Sequence, residues 1–469
     1  MSKKNQVIGY LPDERPPFIK LVLYAIQQVI VMFPATVTVA LLTGFHISTT
    51  IFASGLATLC FLLITGKKLP LYYGSSFAYL AAIGSLMASE ALAGASLDDK
   101  IAVAQFGIIM SGFVSIIAGL IVNKFGKNAV EKALPATVTG PIAMIIGLTL
   151  AGNALSDATS SIVNAETGAV AAGDPQLVAN MTLLVALITL ISTILFSVYL
   201  KGVLGQLPLL LGPIVGCIAA FIISLTTDVN LFKQVPSDVA NAGVFALPHI
   251  TLPKPSWMAV AAIMPVALAT IPESTAHVYQ LDIYINDLAK KKGVQKRYDI
   301  ENKLGLNLIG DGVGDMIAGA IGGPGGTNYG ENISAMAITR VFSIPVLIGA
   351  AIIAMIISCF TPLVGAIYSI PNAVIGGLEI FLFGAIAAQG VAIMIDKQVD
   401  MFSSKNIAVI ATIMIIGLGG QYAFGGNIPF FGMEVPCVAG AAIFGILLNL
   451  LLSIRPKRKQ SANEKSAEE

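Results

Sequence analysis

Runs of about 20 mostly apolar residues, the length of a helix that crosses a bilayer, recur from end to end of this 469-residue chain. Read on that rule, spans fall near 18–43, 48–66, 71–90, 101–122, 135–152, 180–200, 207–226, 256–280, 303–320, 324–339, 342–361, 371–393, 405–420 and 434–454. That makes fourteen, of which the third and tenth are poor helices. Hydrophobic residues make up 56% and charged residues 11%, against about 25% charged in an ordinary soluble domain. With 46 Gly and 23 Pro, residues at home in membrane helices, the chain reads as an all-α polytopic protein embedded in a lipid bilayer. A net charge of +1 argues against a nucleic-acid partner. The polar start, MSKKNQVIGYLPDERPP, is not followed by the short apolar core and small-residue cleavage site of a signal peptide.

Charge placement tests the count, because cytoplasmic loops are rich in Lys and Arg. With Lys3, Lys4 and Arg15 inside, the inside segments also hold Lys67 and Lys68, Lys124, Lys127 and Lys132, Lys201, the set from Lys290 to Lys303, Arg340, Lys397 and Lys405, and finally Arg455, Lys457, Arg458 and Lys459. The outside segments are poor in them: 152–179 and 419–432 have none, ALAGASLDDK at 91–100 has Lys100, and 227–255 has Lys233 and Lys254. The asymmetry persists along the chain, so both termini are expected in the cytoplasm.

The sequence also repeats. Tyr73-Gly74-Ser75-Ser76-Phe77-Ala78 in span three parallels Tyr329-Gly330-Glu331-Asn332-Ile333-Ser334 in span ten. The start of span five at Leu134-Pro135-Ala136 parallels that of span twelve at Ile370-Pro371-Asn372, and Met32-Phe33-Pro34 parallels Ile263-Met264-Pro265. Each match pairs a span with the one seven later. Seven is odd, so the halves lie in opposite orientations, giving fourteen transmembrane segments in a 7+7 inverted repeat. Inverted repeats with interrupted segments at corresponding positions are the mark of a secondary transporter whose site lies between them.

One interrupted segment is GGPGGTNYGENISAMAITR, residues 322–340. A membrane helix does not begin GGPGG, since Gly is entropically costly and Pro lacks an N–H. The expected form is an extended segment entering the N-terminus of a half-helix, where free N–H groups meet a carbonyl or an anion. Glu331 at that point is either a helix cap or a ligand for substrate or proton, since ionisable residues within the membrane mark functional sites.

The reading picks out three acidic residues inside spans: Glu273, Glu331 and Glu379. Glu273 and His277 are four apart and share a helix face; together they can bind a polar ligand or pass a proton. The plain alternative is that both meet water at the cytoplasmic helix end, Glu273 being about 24 Å along the helix from Trp257. Glu379 is read as packing or gating. His46 and His249 are read as loop residues. Cys60, Cys217, Cys359 and Cys437 each stand alone in apolar runs and read as small buried hydrophobes. With three His in all and no helical His-x-x-x-His, neither a metal site nor a metalloenzyme is expected. Without a GxxxxGK[ST] motif the chain carries no ATPase of its own, so uphill transport must draw on an ion gradient, with Glu273 the candidate proton carrier.

The run Glu331-Asn332-Ile333-Ser334-Ala335-Met336-Ala337-Ile338-Thr339-Arg340 resembles the signature of the nucleobase–ascorbate transporter family, also called nucleobase:cation symporter-2. That signature is a polar residue, Asn, any residue, Gly, four residues, Thr, then Arg or Lys. With Tyr329-Gly330-Glu331-Asn332, Ser75-Ser76-Phe77-Ala78 and Pro272-Glu273…His277, the likeness is to the uracil permease branch. It runs from Pro17 to Leu451. Ser334 departs from it, standing where the family usually has Gly.

The resemblance implies short antiparallel strands in segments 3 and 10. It implies a core domain, 18–133 and 256–370, and a gate domain, 134–255 and 371–454, flanked by cytoplasmic tails 1–17 and 455–469. It implies uracil–proton symport across the plasma membrane without a cofactor, alternating access between core and gate, and a homodimer formed through the gate domains. The alternative is the same fold carrying xanthine or another nucleobase. The substrate-binding residues implied are Phe77, Glu273, Gly330 and Glu331, with Glu273, His277 and Tyr329 in proton coupling and support. The chemistry is consistent: uracil alternates N–H donors and C=O acceptors, carboxylates of Glu273 and Glu331 can accept, the amides of Gly330 and Glu331 can donate, and Phe77 can stack on the ring.

Overall fold

The computed structural model describes residues 9–126, 134–164, 167–202, 204–430 and 433–453. The expected tail 455–469 and the first eight residues of the expected tail 1–17 lie outside the described residues. Ten described helices are long and apolar enough to cross a membrane. Apolar helices too short to do so alone are Phe77–Met87, Ile344–Ser358 and Cys437–Ser453.

Local signals set many of the ends. Helix α1 (Phe18–Thr43) follows Pro17 and stops at Gly44, whose φ of 73° is a left-handed cap that glycine adopts without penalty. Helix α2 (Ile47–Ile64) leads to strand β1 (Tyr73–Ser75), then a 3₁₀ turn, Phe77–Tyr79, and a short helix α3 (Leu80–Met87). Helix α4 (Leu97–Phe125) opens on a Ser96 cap with Asp98 and Asp99 in its first turn and Lys124 in its last, matching the helix dipole. Next come α5 (Ala136–Thr149), α6 (Ala151–Thr159), α7 (Pro175–Tyr199) and α8 (Pro208–Thr226).

The second half follows with α9 (Trp257–Ile263), a 3₁₀ turn at Met264–Val266, and α10 (Ala267–Lys291). Then come α11 (Leu304–Ile321), strand β4 (Gly326–Asn328), and α12 (Gly330–Thr339). The chain ends in α13 (Ile344–Ser358), α14 (Thr361–Tyr368), α15 (Asn372–Asp396), α16 (Ser404–Phe424) and α17 (Cys437–Ser453). Where the sequence reading leaves open loops, the structure has two small hairpins. Strand β2 (Ile162–Asn164) pairs with β3 (Ala169–Val170), and β5 (Asn427–Phe430) with β6 (Met433–Pro436).

The helices pack in two groups. In one, α4 lies on α11, α2 on α13, and α1 on α13. In the other, α15 lies on α5 and α7, α7 on α8, and α16 on α5 and α17. Small residues permit the closest crossings: a Cβ at Gly112 would come within 2.4 Å of the Gly312 carbonyl, and one at Gly390 within 2.4 Å of the Gly140 carbonyl. Such backbone proximity gives membrane helices the contact that hydrophobicity alone cannot.

Strands β1 and β4 join segments more than 250 residues apart. Tyr73 pairs with Asn328, Gly74 with Thr327 and Ser75 with Gly326, antiparallel. Tyr329 N–H donating to Tyr72 (2.9 Å) and Ser76 N–H to Gly325 (3.0 Å) extend the ladder at both ends. Because each strand runs directly into a helix, the antiparallel register brings two helix N-termini in from opposite sides.

Residues 9–14 of the expected N-terminal tail are docked. Tyr10 exchanges backbone bonds with Arg340 (2.8 Å) and Phe342 (2.7 Å). Lys292 Nζ reaches Glu14 Oε2 at 2.6 Å, and Lys296 Nζ reaches Asp13 at 2.9 Å.

Candidate functional site

The broken segments are held open by their own side chains. The Tyr329 ring fills the space beside Gly74, and its hydroxyl bonds Thr36 Oγ1 and the Ser75 carbonyl, both at 2.9 Å. Tyr329 is buried and braces the ladder. Gly330 begins α12 with His277 against it: a Cβ there would come within 2.9 Å of His277 Nε2. The strand–helix junction therefore depends on glycine at both places.

Glu273 lies in the middle of the long helical stretch Trp257–Lys291. This disposes of the plain alternative, in which Glu273 and His277 sit at a helix end. The polar extension from Asp282 to Lys291 adds turns that an apolar-run rule does not count. Pro272 and the 3₁₀ turn at Met264–Val266 interrupt the same stretch, which frees backbone groups near Glu273. Glu273 and Glu331 are within electrostatic reach of each other. His277 lies near the Asn328 backbone, and its buried Nδ1 finds no partner among the described residues. No hydrogen bond joins Glu273 to His277 among the described residues. Glu331 stands in the first turn of α12, where a carboxylate meets the positive end of the helix dipole. Asn332, next in the signature, bonds the Gln28 carbonyl (3.0 Å) and Oε1 (2.8 Å), locking α12 to α1.

Phe77 stands beyond the opposite end of the ladder. It is half-buried, like Glu273, His277, Gly330 and Glu331. It packs against two apolar clusters, one around α1 and α12, the other including Leu150, Leu382 and Phe383. Phe77 thus sits where the two helix groups meet. Beside it, a cleft between α3, α5, α9 and α17 encloses about 530 Å³ with its mouth.

Two residues that carry the site escaped the sequence reading, which picked out only three acidic residues within spans. Asp311 and Asp315 also lie inside a span, both buried on one face of α11. Asp315 accepts from the Tyr73 hydroxyl (2.5 Å), the Tyr79 hydroxyl (2.8 Å) and the Gly326 N–H (2.7 Å). Asp311 accepts from Ser274 and from Asn328 Nδ2, which also reaches Asn307 Oδ1 at 2.9 Å. Together they bind β1, β4, α10 and α11 into one unit. The signal was present in Asp311-Gly-Val-Gly-Asp315: two carboxylates one turn apart among glycines, in a run otherwise apolar.

Glu379 is not part of this assembly. It is buried, with the Asp157 carboxylate within electrostatic reach. His46 and His249, read as ordinary loop residues, both meet Asp98.

A family model described as "Permease family" matches residues 19–426. The chain is 34% identical over 456 residues to the uracil permease of Bacillus caldolyticus, covering 97% of each. It is 34% identical over 445 residues to the putative pyrimidine permease RutG of Escherichia coli (strain K12), covering 94% of this chain and 91% of that one. Among solved structures, the transmembrane domain of the cyanobacterium bicarbonate transporter BicA superposes with a TM-score of 0.58 at 16% identity, covering 94% of this chain and 99% of that one. Murine Slc26a9, an anion transporter in the inward-facing state, gives 0.63 at 12% identity, covering 94% and 69%. These two likenesses give the fold.

Proposed function

Because this chain belongs to the nucleobase–ascorbate transporter (nucleobase:cation symporter-2) family, a family of transporters and not of enzymes, we propose that it imports uracil across the cell membrane by proton symport. The observation that carries the reading is the junction of β4 with α12. There Gly330 and Glu331 present amides and a carboxylate beside Glu273 and His277, with Phe77 across the ladder. A flat, uncharged base with alternating donors and acceptors suits that set. An inorganic anion does not, since two carboxylates would repel it.

Glu331 and Glu273 hold the base, Phe77 stacks on it, and Glu273 takes and releases the coupled proton, steadied by His277. Fourteen segments in a 7+7 inverted repeat are supported by the packing itself. Span four on nine has its counterpart in eleven on two, six on seven in thirteen on fourteen, and twelve on six in five on thirteen. The same pattern supports a core (18–133 and 256–370) moving against a gate (134–255 and 371–454), with both termini cytoplasmic. The gate helices α7, α8 and α16 bury 28%, 22% and 22% of their apolar windows, against 67% for α1. That surface faces lipid and provides the face for a homodimer.

Uptake of labelled uracil by cells expressing Glu331→Ala tests this, with surface expression checked by labelling. Loss of uptake at normal expression is expected; normal uptake would overturn the site. Competition by unlabelled uracil, cytosine and xanthine reads out which base is carried.

A further inference from the structure

Two of the three histidines meet one carboxylate on what the charge distribution makes the outer face. His46 Nε2 lies 2.8 Å from Asp98 Oδ1, and His249 Nε2 lies 2.9 Å from Asp98 Oδ2. The rings stand 4.6 Å apart between centroids, tilted by 58°. The three residues come from three places: the turn between α1 and α2, the first turn of α4, and the connection from α8 to α9.

Each is positioned separately. His46 sits just before Ile47, whose N–H meets the Tyr368 hydroxyl at 3.3 Å. Asp98 lies in the first turn of α4, whose start is capped by Ser96 accepting from the Asp99 N–H at 3.2 Å. The His249 carbonyl accepts from Thr49 Oγ1, and two residues on, Thr251 is held by Gln105 at 2.8 Å.

We propose that His46, Asp98 and His249 form an external site for a divalent transition-metal ion of the zinc class. Two neutral imidazoles and a carboxylate are the donor set such ions favour, with a fourth position left to water. One ligand atom from each residue lies within 4.8 Å of the others. A tetrahedral site with bonds near 2.1 Å spaces its ligands by about 3.4 Å, so the three must close by about 1.4 Å at most. Asp98 and His249 side chains are 49% and 52% exposed, which gives them room to move and gives the ion a way in. Lys254, on the same connection as His249, is already paired with Asp99. On binding, the single proton of each neutral imidazole sits on Nδ1, which frees the Nε2 lone pair for the metal. The site shares no residue with the proposed uracil-binding set, and it ties the α8–α9 connection to the outer ends of α2 and α4.

The test uses purified full-length protein without a polyhistidine tag, stripped with chelator and titrated with Zn²⁺ against a chromophoric competitor, and separately with Co²⁺. One ion per chain is expected, with a rise in melting temperature. Co²⁺ should give the intense visible bands of a low-coordinate site. His249→Ala and Asp98→Asn should each weaken binding by about tenfold or more, and the double variant His46→Ala/His249→Ala should abolish it. Because His249 is an exposed loop residue, its variant keeps the fold, and uracil uptake in metal-free buffer verifies that. Equal binding by wild type and double variant, or a wild-type Co²⁺ spectrum no different from the hydrated ion, would overturn the site. So would variants whose stability loss is the same with and without Zn²⁺, because the cluster would then be a hydrogen-bonded pin alone.

Discussion

The ring of Tyr329 stands where a side chain on Gly74 would have to go: a Cβ at Gly74 would come within 2.4 Å of it. Two residues from opposite halves of the chain thus share one volume, and the ladder that places Phe77 and Glu331 depends on that sharing.

Gly74→Ala should therefore separate the strands. Overpacking of this kind costs about 1–3 kcal/mol. Lower melting temperature and impaired uracil uptake are expected together, whereas Tyr329→Phe should lose about 1 kcal/mol while keeping the shape. If Gly74→Ala transports normally, the ladder does not govern the site.

Asp315 collects three donors from two segments, so Asp315→Ala leaves the Tyr73 hydroxyl and the Gly326 N–H unmatched and the Tyr79 hydroxyl with Ser111 alone. Removing an acceptor from buried donors costs about 1–3 kcal/mol per group. A thermal scan should show the largest loss among the α11 variants, and uracil affinity should fall although Asp315 touches no substrate. Asp315→Asn, which keeps an acceptor oxygen, should recover part of both.

Glu273 and Glu331 are expected to divide the work. Glu273→Gln retains shape and hydrogen-bonding capacity but cannot carry a proton. Uracil exchange across vesicles should persist, while accumulation driven by a proton gradient should vanish. Gradient-driven accumulation at the wild-type level would remove Glu273 from the coupling role.

Gln105 bonds the Thr251 carbonyl (2.8 Å), the Gly319 carbonyl (2.7 Å) and Thr251 Oγ1 (2.8 Å). Gln105→Leu fills the space but leaves those groups unpaired. Faster hydrogen exchange around residues 249–254, with a thermal loss of about 1–3 kcal/mol, should follow.

In the docked N-terminal segment, burial pushes the Asp13 carboxyl up, but hydrogen bonds from Tyr298 and Lys296 outweigh it and hold the group below its ordinary 3.8. A lowered carboxylate stabilises the fold above its unfolded pKa and loses that contribution as pH falls through its folded one. Asp13→Asn should melt lower than wild type at pH 7. The gap should shrink once pH drops below the ordinary value. A gap unchanged at the lowest pH would mean that packing, not charge, docks residues 9–14.

Apolar run length, proline and glycine breaks and the Lys/Arg bias are local properties of the chain. They were enough to expect spans with two poor helices at 71–90 and 324–339, where the structure has strands Tyr73–Ser75 and Gly326–Asn328. Run length could not tell that α10 continues through polar residues to Lys291, which is why Glu273 lies in mid-helix instead of at its end. Asp311 and Asp315 were overlooked because a carboxylate inside a span declares nothing until its donors are known. Three of those donors, Tyr73, Tyr79 and Ser274, are 37 to 242 residues away. The meeting of His46, Asp98 and His249 across three connections was equally hidden. Hydropathy and backbone preference act over a few residues and can be read in order. Which buried polar groups satisfy one another is settled only when distant segments close on each other, and the tertiary structure alone decides it.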